Sequence, residues 1–145
     1  MALPFWGDDM ALSNGNNSHI GNEHLGNLNA NLERIIFYAH FKVKIRKAFL
    51  LTDQDVTFTP TDHLKFSFYD EEYVQDVGTR QDVIVPEFDL LGDMFNAEPI
   101  DLRIPDGTIL MPHHALFMRV REVGRANLRN AFFSINYNVV GSRAL

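Results

Sequence analysis

The chain has 145 residues, 46% of them hydrophobic and 12% aromatic, with a formal net charge of −6 and no cysteine. That length suits one domain with a substantial core, and the missing thiols exclude disulfides, zinc–thiolate sites, iron–sulfur clusters and thiol catalysis. The acidic balance argues against a general nucleic-acid binder, because phosphate contacts rest on Lys and Arg.

The opening Met-Ala-Leu-Pro-Phe-Trp-Gly-Asp-Asp lacks the basic start and apolar run of a signal peptide. No apolar stretch approaches the ~20 residues of a membrane helix. The expectation is a chain without signal peptide or transmembrane segment.

Composition changes near residue 34. Seven Asn and four Gly precede it, and the first basic residue is Arg34 itself. Asn and Gly favour turns and irregular backbone, so residues 1–34 read as an extended N-terminal arm and 35–145 as the folded domain. Phe5, Trp6, Leu12, Ile20, Leu25, Leu28 and Leu32 are spread through the arm. A purely disordered tail is usually poorer in such residues, so the arm is expected to order against another surface. The plainer alternative is a fraying terminus. Leu25, Leu28 and Leu32 also have helical spacing, which predicts a short helix over 25–34.

From Ile35 the period is two. Ile35, Phe37, Ala39, Phe41, Val43 and Ile45 alternate with more polar residues, which predicts one strand with an apolar face. Shorter strands are predicted around Val56–Thr59, Leu64–Tyr69, Val83–Val85, Leu102–Ile104, Thr108–Met111, Leu116–Arg121 and Ala131–Val139. Pro60, Pro86, Pro112 and the turn Pro105-Asp106-Gly107 separate several of them. Leu91, Met94 and Phe95 have i, i+3, i+4 spacing, which predicts one short helix over 87–95. The fold class is therefore all-β: an antiparallel sandwich or jelly roll of about seven or eight strands.

Catalytic signatures are sparse. No phosphate-binding glycine loop and no G-x-S-x-G elbow occurs. A cupin-like metalloenzyme would want two His on one strand face, but His113 and His114 are adjacent, so a strand would aim them apart. Asp53-Gln54-Asp55 and Asp62-His63 are acidic loop clusters without a calcium-loop pattern. No catalytic residue, cofactor or metal is assigned. A carbohydrate- or receptor-binding β-sandwich module is the alternative, with Trp6, Tyr69 and Tyr73 as a candidate aromatic platform for a glycan.

Charge is segregated. Residues 70–101 hold ten acidic side chains and only Arg80 as a base, while 102–145 hold six Arg against Asp106 and Glu122. These segments read either as complementary surfaces between copies or as pairs within one chain. Lys42, Lys44 and Arg46, together with Arg119, Arg121, Arg125 and Arg129, read as a candidate basic strip.

Three features together resemble small structural proteins of virus particles, above all bacteriophage capsid or capsid-associated proteins. They are the Asn/Gly-rich arm at 1–34, the Phe-rich β body from 35, and the final Ala-Phe-Phe-Ser-Ile-Asn-Tyr-Asn-Val-Val that runs almost to the terminus. The resemblance implies a jelly-roll-like fold, symmetric self-assembly, and an arm that reaches a neighbouring subunit. On that reading the chain is a non-enzymatic virion component whose partners are itself and other virion proteins, with no membrane, nucleic-acid or small-molecule partner. The subunit-interface candidates are Phe5, Trp6, Leu12, Ile20, Leu25, Leu28, Leu32, Lys42, Lys44, Arg46, Arg119 and Arg121.

Overall fold

In the computed structural model residues 18–141 are described, and every regular element among them is a strand. In chain order these are β1 (Ser18–Leu28), β2 (Leu32–Tyr38), β3 (Val43–Leu51), β4 (Val56–Phe58), β5 (His63–Val74) and β6 (Gly78–Leu90). There follow β7 (Gly92–Met94), β8 (Ile100–Asp101), β9 (Thr108–Leu110), β10 (Ala115–Val123) and β11 (Leu128–Val139).

All pairings are antiparallel. One sheet runs β1-β11-β3-β8, with β9 also on β3; the other runs β2-β10-β5-β6; β4 and β7 form a small pair. β8 lies opposite Phe49 and Leu50, and β9 opposite Val43 to Ile45, so the two occupy one interrupted strand position on β3. The order then resolves into nested pairs. The first strand pairs with the last, β2 with β10, β3 with β8 and β9, and β5 with β6. A long hairpin wound upon itself in this way is a jelly roll, as the sequence predicts.

Alternation fills the space between the sheets. Leu64, Phe66 and Phe68 of β5 and Leu116, Met118 and Val120 of β10 pack with Ile45 and Leu50 of β3 and Phe133 and Ile135 of β11. All are at most 1% exposed. Residues 18–34 belong to this body, which corrects the expected arm over that stretch. β1 is hydrogen-bonded along β11 from Ser18 to Leu28, and Leu25 and Leu28 are buried in the common core. The expected boundary at residue 34 falls inside β2. Residues 1–17, the remainder of the expected arm, lie outside the described residues.

The predicted helix over 25–34 does not form. Leu25 and Leu28 serve one strand and Leu32 the next, and register shifts between His24 and Leu28 let a spacing of three reach the same core. Neither does the helix over 87–95. Phe88 and Leu90 alternate inward along β6, and Gly92, at φ +96°, opens β7. β6 also continues through Pro86. It is the edge of its sheet, where a missing backbone N–H can be tolerated.

The predicted single strand over 35–45 is two strands in different sheets. Ala39, buried at the corner, donates its N–H to the His114 carbonyl (2.8 Å) and accepts from the His113 N–H (2.6 Å). These bonds anchor the chain to the connection between β9 and β10 and end β2. The alternation therefore survives in sequence while the backbone changes sheets.

Candidate interaction surface

The outward side of the β2-β10-β5-β6 sheet carries an apolar row that crosses all four strands. Phe117 lies opposite Ile35 on one side and Tyr69 on the other, and Tyr69 lies opposite Val83. The Phe117 and Tyr69 rings meet edge to face at 6.1 Å between centroids. Phe117 is outside the core cluster, and the ends of the row are open to solvent, with Ile35 46% and Val83 60% exposed.

Polar pairs border the row. On one flank Arg119 donates to Glu33 (3.1 Å) and to the Tyr69 hydroxyl (3.0 Å), with its guanidinium 4.9 Å from the Tyr69 ring centre. Beyond it Arg121 grips Glu87 through Nε (2.6 Å) and a terminal nitrogen (2.7 Å), and Lys65 pairs with Asp89 at 3.1 Å. On the other flank Gln81 donates to Glu71 (2.7 Å). An apolar centre with a polar border is the usual anatomy of a protein interface.

The Arg121 hydrogen bond holds the Glu87 carboxyl below its ordinary value, and hydrogen bonds from Lys65 and then His63 do the same for Asp89. A carboxylate whose folded pKa is depressed contributes stability above its unfolded pKa. That contribution is lost as pH falls through the folded pKa. Stability is therefore expected to decline on acidification below about pH 4.5. Glu87→Gln should flatten that decline in thermal melts recorded between about pH 3 and pH 7. The effect should be small, since both partners are partly solvated.

The interface candidates do not come together. Phe5, Trp6 and Leu12 lie outside the described residues. Ile20 projects from β1 and is exposed. Leu25 and Leu28 are core and Leu32 packs against it, because the inward alternation of β1 and β2 claims them for folding. The predicted basic strip is not formed. Lys44 and Arg46 are on β3 in one sheet, with Lys42 just before it, while Arg119 and Arg121 are on β10 in the other. Arg46 pairs with Asp106 at 3.0 Å, and four of the seven cations of the strip, Arg46, Arg119, Arg121 and Arg129, have carboxylate partners within the chain.

The histidines are placed individually. His63 is buried, bonded through its ring nitrogens to the Thr59 carbonyl (3.0 Å) and Asp89 (3.2 Å). His114 sits between Asp70 (2.7 Å) and Glu72 (3.2 Å), whereas adjacent His113 meets the Tyr38 hydroxyl (3.0 Å). Among the described residues no group of three or more His, Asp or Glu is placed to hold a metal ion. Of the aromatic platform, Tyr69 is covered by Arg119, Tyr73 is exposed near the β5–β6 turn, and Trp6 lies outside the described residues.

Sequence reasoning missed the row itself. Phe117 stood on the same predicted strand face as Arg119 and Arg121, but only the strand register brings Ile35, Tyr69 and Val83 beside it. It also missed a cleft of about 230 Å3 between β4 and the β10–β11 connection, where Gln54, Asp55 and Thr57 meet Arg125, Asn127 and Arg129.

Fold and surface together define an antiparallel jelly-roll sandwich with one apolar row left on its outer side. No protein-family model matches the chain, and no curated protein matches it. A solved structure described as that of infectious bursal disease virus, Gx strain, is similar over 90% of this chain at 10% identity and a TM-score of 0.42. The chain spans 34% of that longer chain. No helix among the described residues is long and apolar enough to cross a membrane.

Proposed function

We propose that this chain is a virion structural protein, acting by self-assembly and by docking on a capsid or tail rather than by catalysis. The decoration or cement, minor capsid and penton types of bacteriophage subunit all fit this reading. The observation that carries it is the row Ile35–Phe117–Tyr69–Val83 on the outer face of one sheet, whose ends Ile35 and Val83 are exposed. Jelly rolls recur in virus capsids, although the fold alone does not assign a function. The partners on this reading are further copies of the chain and other virion proteins. Residues 1–17, with Phe5, Trp6 and Leu12, supply the contact with a neighbouring subunit.

Light scattering after size exclusion, on the full chain, tests the reading. An oligomer is expected, and Val83→Asp or Ile35→Asp should weaken its association about tenfold, the scale of losing an interface anchor. Both sites are exposed, so the melting temperature should hardly move. A wild-type chain that stays monomeric at the highest soluble concentration would overturn self-assembly through this face.

A further inference from the structure

The cleft beside β4 is built where two connections, β3–β4 and β10–β11, meet with β4 and the start of β11. Gln54 and Asp55 come from the β3–β4 connection, Thr57 from β4, and Arg125 and Asn127 from the β10–β11 connection, with Arg129 at the start of β11. Val56, Phe58 and Ala126 complete the lining.

Its walls are held by hydrogen bonds, and within the lining the Thr57 hydroxyl donates to Asp93 (2.7 Å). The Arg125 N–H donates to Asp62 (2.8 Å) and the Ala126 N–H to Glu122 (2.9 Å). The Arg129 carbonyl accepts from the Thr52 hydroxyl (2.8 Å) and the Asp53 N–H (3.3 Å). Asp55 accepts the Asn96 N–H (2.8 Å). The backbone on both sides is thus fixed before any ligand arrives, which lowers the ordering cost of binding.

The two guanidinium groups are unevenly engaged. Arg129 approaches Asp53 only to 3.7 Å, beyond hydrogen-bonding distance, while Asp53 takes its hydrogen bond from Asn130 (2.6 Å). The side chain of Arg125 makes no hydrogen bond or ion pair among those of the described residues, whereas Arg46, Arg119 and Arg121 are each paired. In a chain of net charge −6 this is a local concentration of unsatisfied planar donors.

We infer that the cleft binds a single acidic sugar unit, its carboxylate held by Arg125 and Arg129 and its hydroxyls by Asp55, Gln54, Thr57 and Asn127. Three features select this ligand class. Arginine forks match a planar carboxylate. The lining carries two Arg against Asp55, and Asp53 lies 3.7 Å from Arg129, so little positive charge is left over and a monoanion suits the cleft better than a doubly charged phosphate. The neutral amides and hydroxyl both donate and accept, as sugar hydroxyls do. A volume of about 230 Å3 lies below the usual ~300–1,000 Å3 of drug-sized sites, so one ring fits and a chain must extend outward. The site is remote from the row on the outer sheet face, and it stands or falls independently of assembly through that face.

The test is amide-resolved NMR titration of the full chain with glucuronate and N-acetylneuraminate as probes, and glucose and inorganic phosphate as comparisons. At least one sugar acid should give saturable shifts in residues 54–57 and 125–129, with glucose silent there. Arg125→Ala or Arg129→Ala should weaken that response about tenfold, the factor expected for losing a charge-assisted hydrogen bond. Both side chains are exposed and their backbone bonds persist in alanine, so the remaining spectrum should be unchanged. The inference is overturned if neither acid gives a saturable response, if glucose matches the acids, if phosphate binds at least as tightly, or if Arg125→Ala leaves the response intact.

Discussion

Deleting residues 1–34 is expected to abolish the cooperative fold, whereas deleting residues 1–17 is expected to preserve it. The longer deletion removes all of β1 and the first three residues of β2. β11 then loses its partner along ten residues or so of edge, and the core loses Leu25 and Leu28 outright. Full burial of such a side chain is worth about 1.5–3 kcal/mol, and the exposed faces of Ala131, Phe133 and Ile135 add to the loss. Against a typical total of about 5–15 kcal/mol, that deficit leaves little or no stable native state. The shorter deletion retains every paired strand of both sheets. Thermal melts followed by near-ultraviolet circular dichroism separate the two outcomes. A sharp transition in the 35–145 fragment would show that β1 is dispensable.

The second large effect is expected at Gly124, in the turn between β10 and β11. Its φ is +66°, a region L side chains enter at a cost of roughly 1–3 kcal/mol. A Cβ placed there would also stand 2.0 Å from the Thr61 carbonyl oxygen and 2.4 Å from an Asp62 carboxylate oxygen. The first of these is backbone, held by the reciprocal Thr59–Asp62 hydrogen bonds of 2.9 and 3.0 Å, and cannot swing away. Gly124→Ala should therefore cost about 3 kcal/mol or more. Gly107 offers the control. It has φ +95° and no atom within 4 Å of the would-be Cβ, so Gly107→Ala carries the backbone strain alone and should cost about 1 kcal/mol. Urea denaturation midpoints, at unchanged slope, measure both.

The strand content was legible because period two is a local property. Leu64, Phe66 and Phe68, and Leu116, Met118 and Val120, announce their inward faces without reference to any partner. What alternation does not encode is which sheet a strand joins. Ile35 to Ile45 alternates unbroken in sequence, yet the inward phase changes at the corner, from Ile36 in β2 to Val43 and Ile45 in β3, so a bent pair reads as one strand. The Asn and Gly residues of 18–34 had a similar effect. They suggested irregular backbone, yet β1 tolerates them at a sheet edge, where Gly26 takes a positive φ of 76° at a register shift. Propensity was overruled by pairing with β11. The functional surfaces were the least legible part. Ile35, Phe117, Tyr69 and Val83 are spread over 83 positions of sequence, and Gln54 and Arg125 are as far from being neighbours; only the register unites them. The segregated charges likewise resolve partly within the chain, as the pairs Arg121–Glu87 and Arg119–Glu33 show.

The nesting of the first strand against the last sets an order of events during synthesis. Ser18 pairs with Asn138, so β1 leaves the ribosome long before its partner strand β11 exists. At roughly 5–20 residues per second, that interval is on the order of ten seconds. Throughout it Leu25 and Leu28 have no finished core to enter, and the sheet of β1 lacks β11. Until then the apolar side chains Leu25 and Leu28 are flanked in sequence by the polar residues Asn22, Glu23, His24, Asn27 and Asn29.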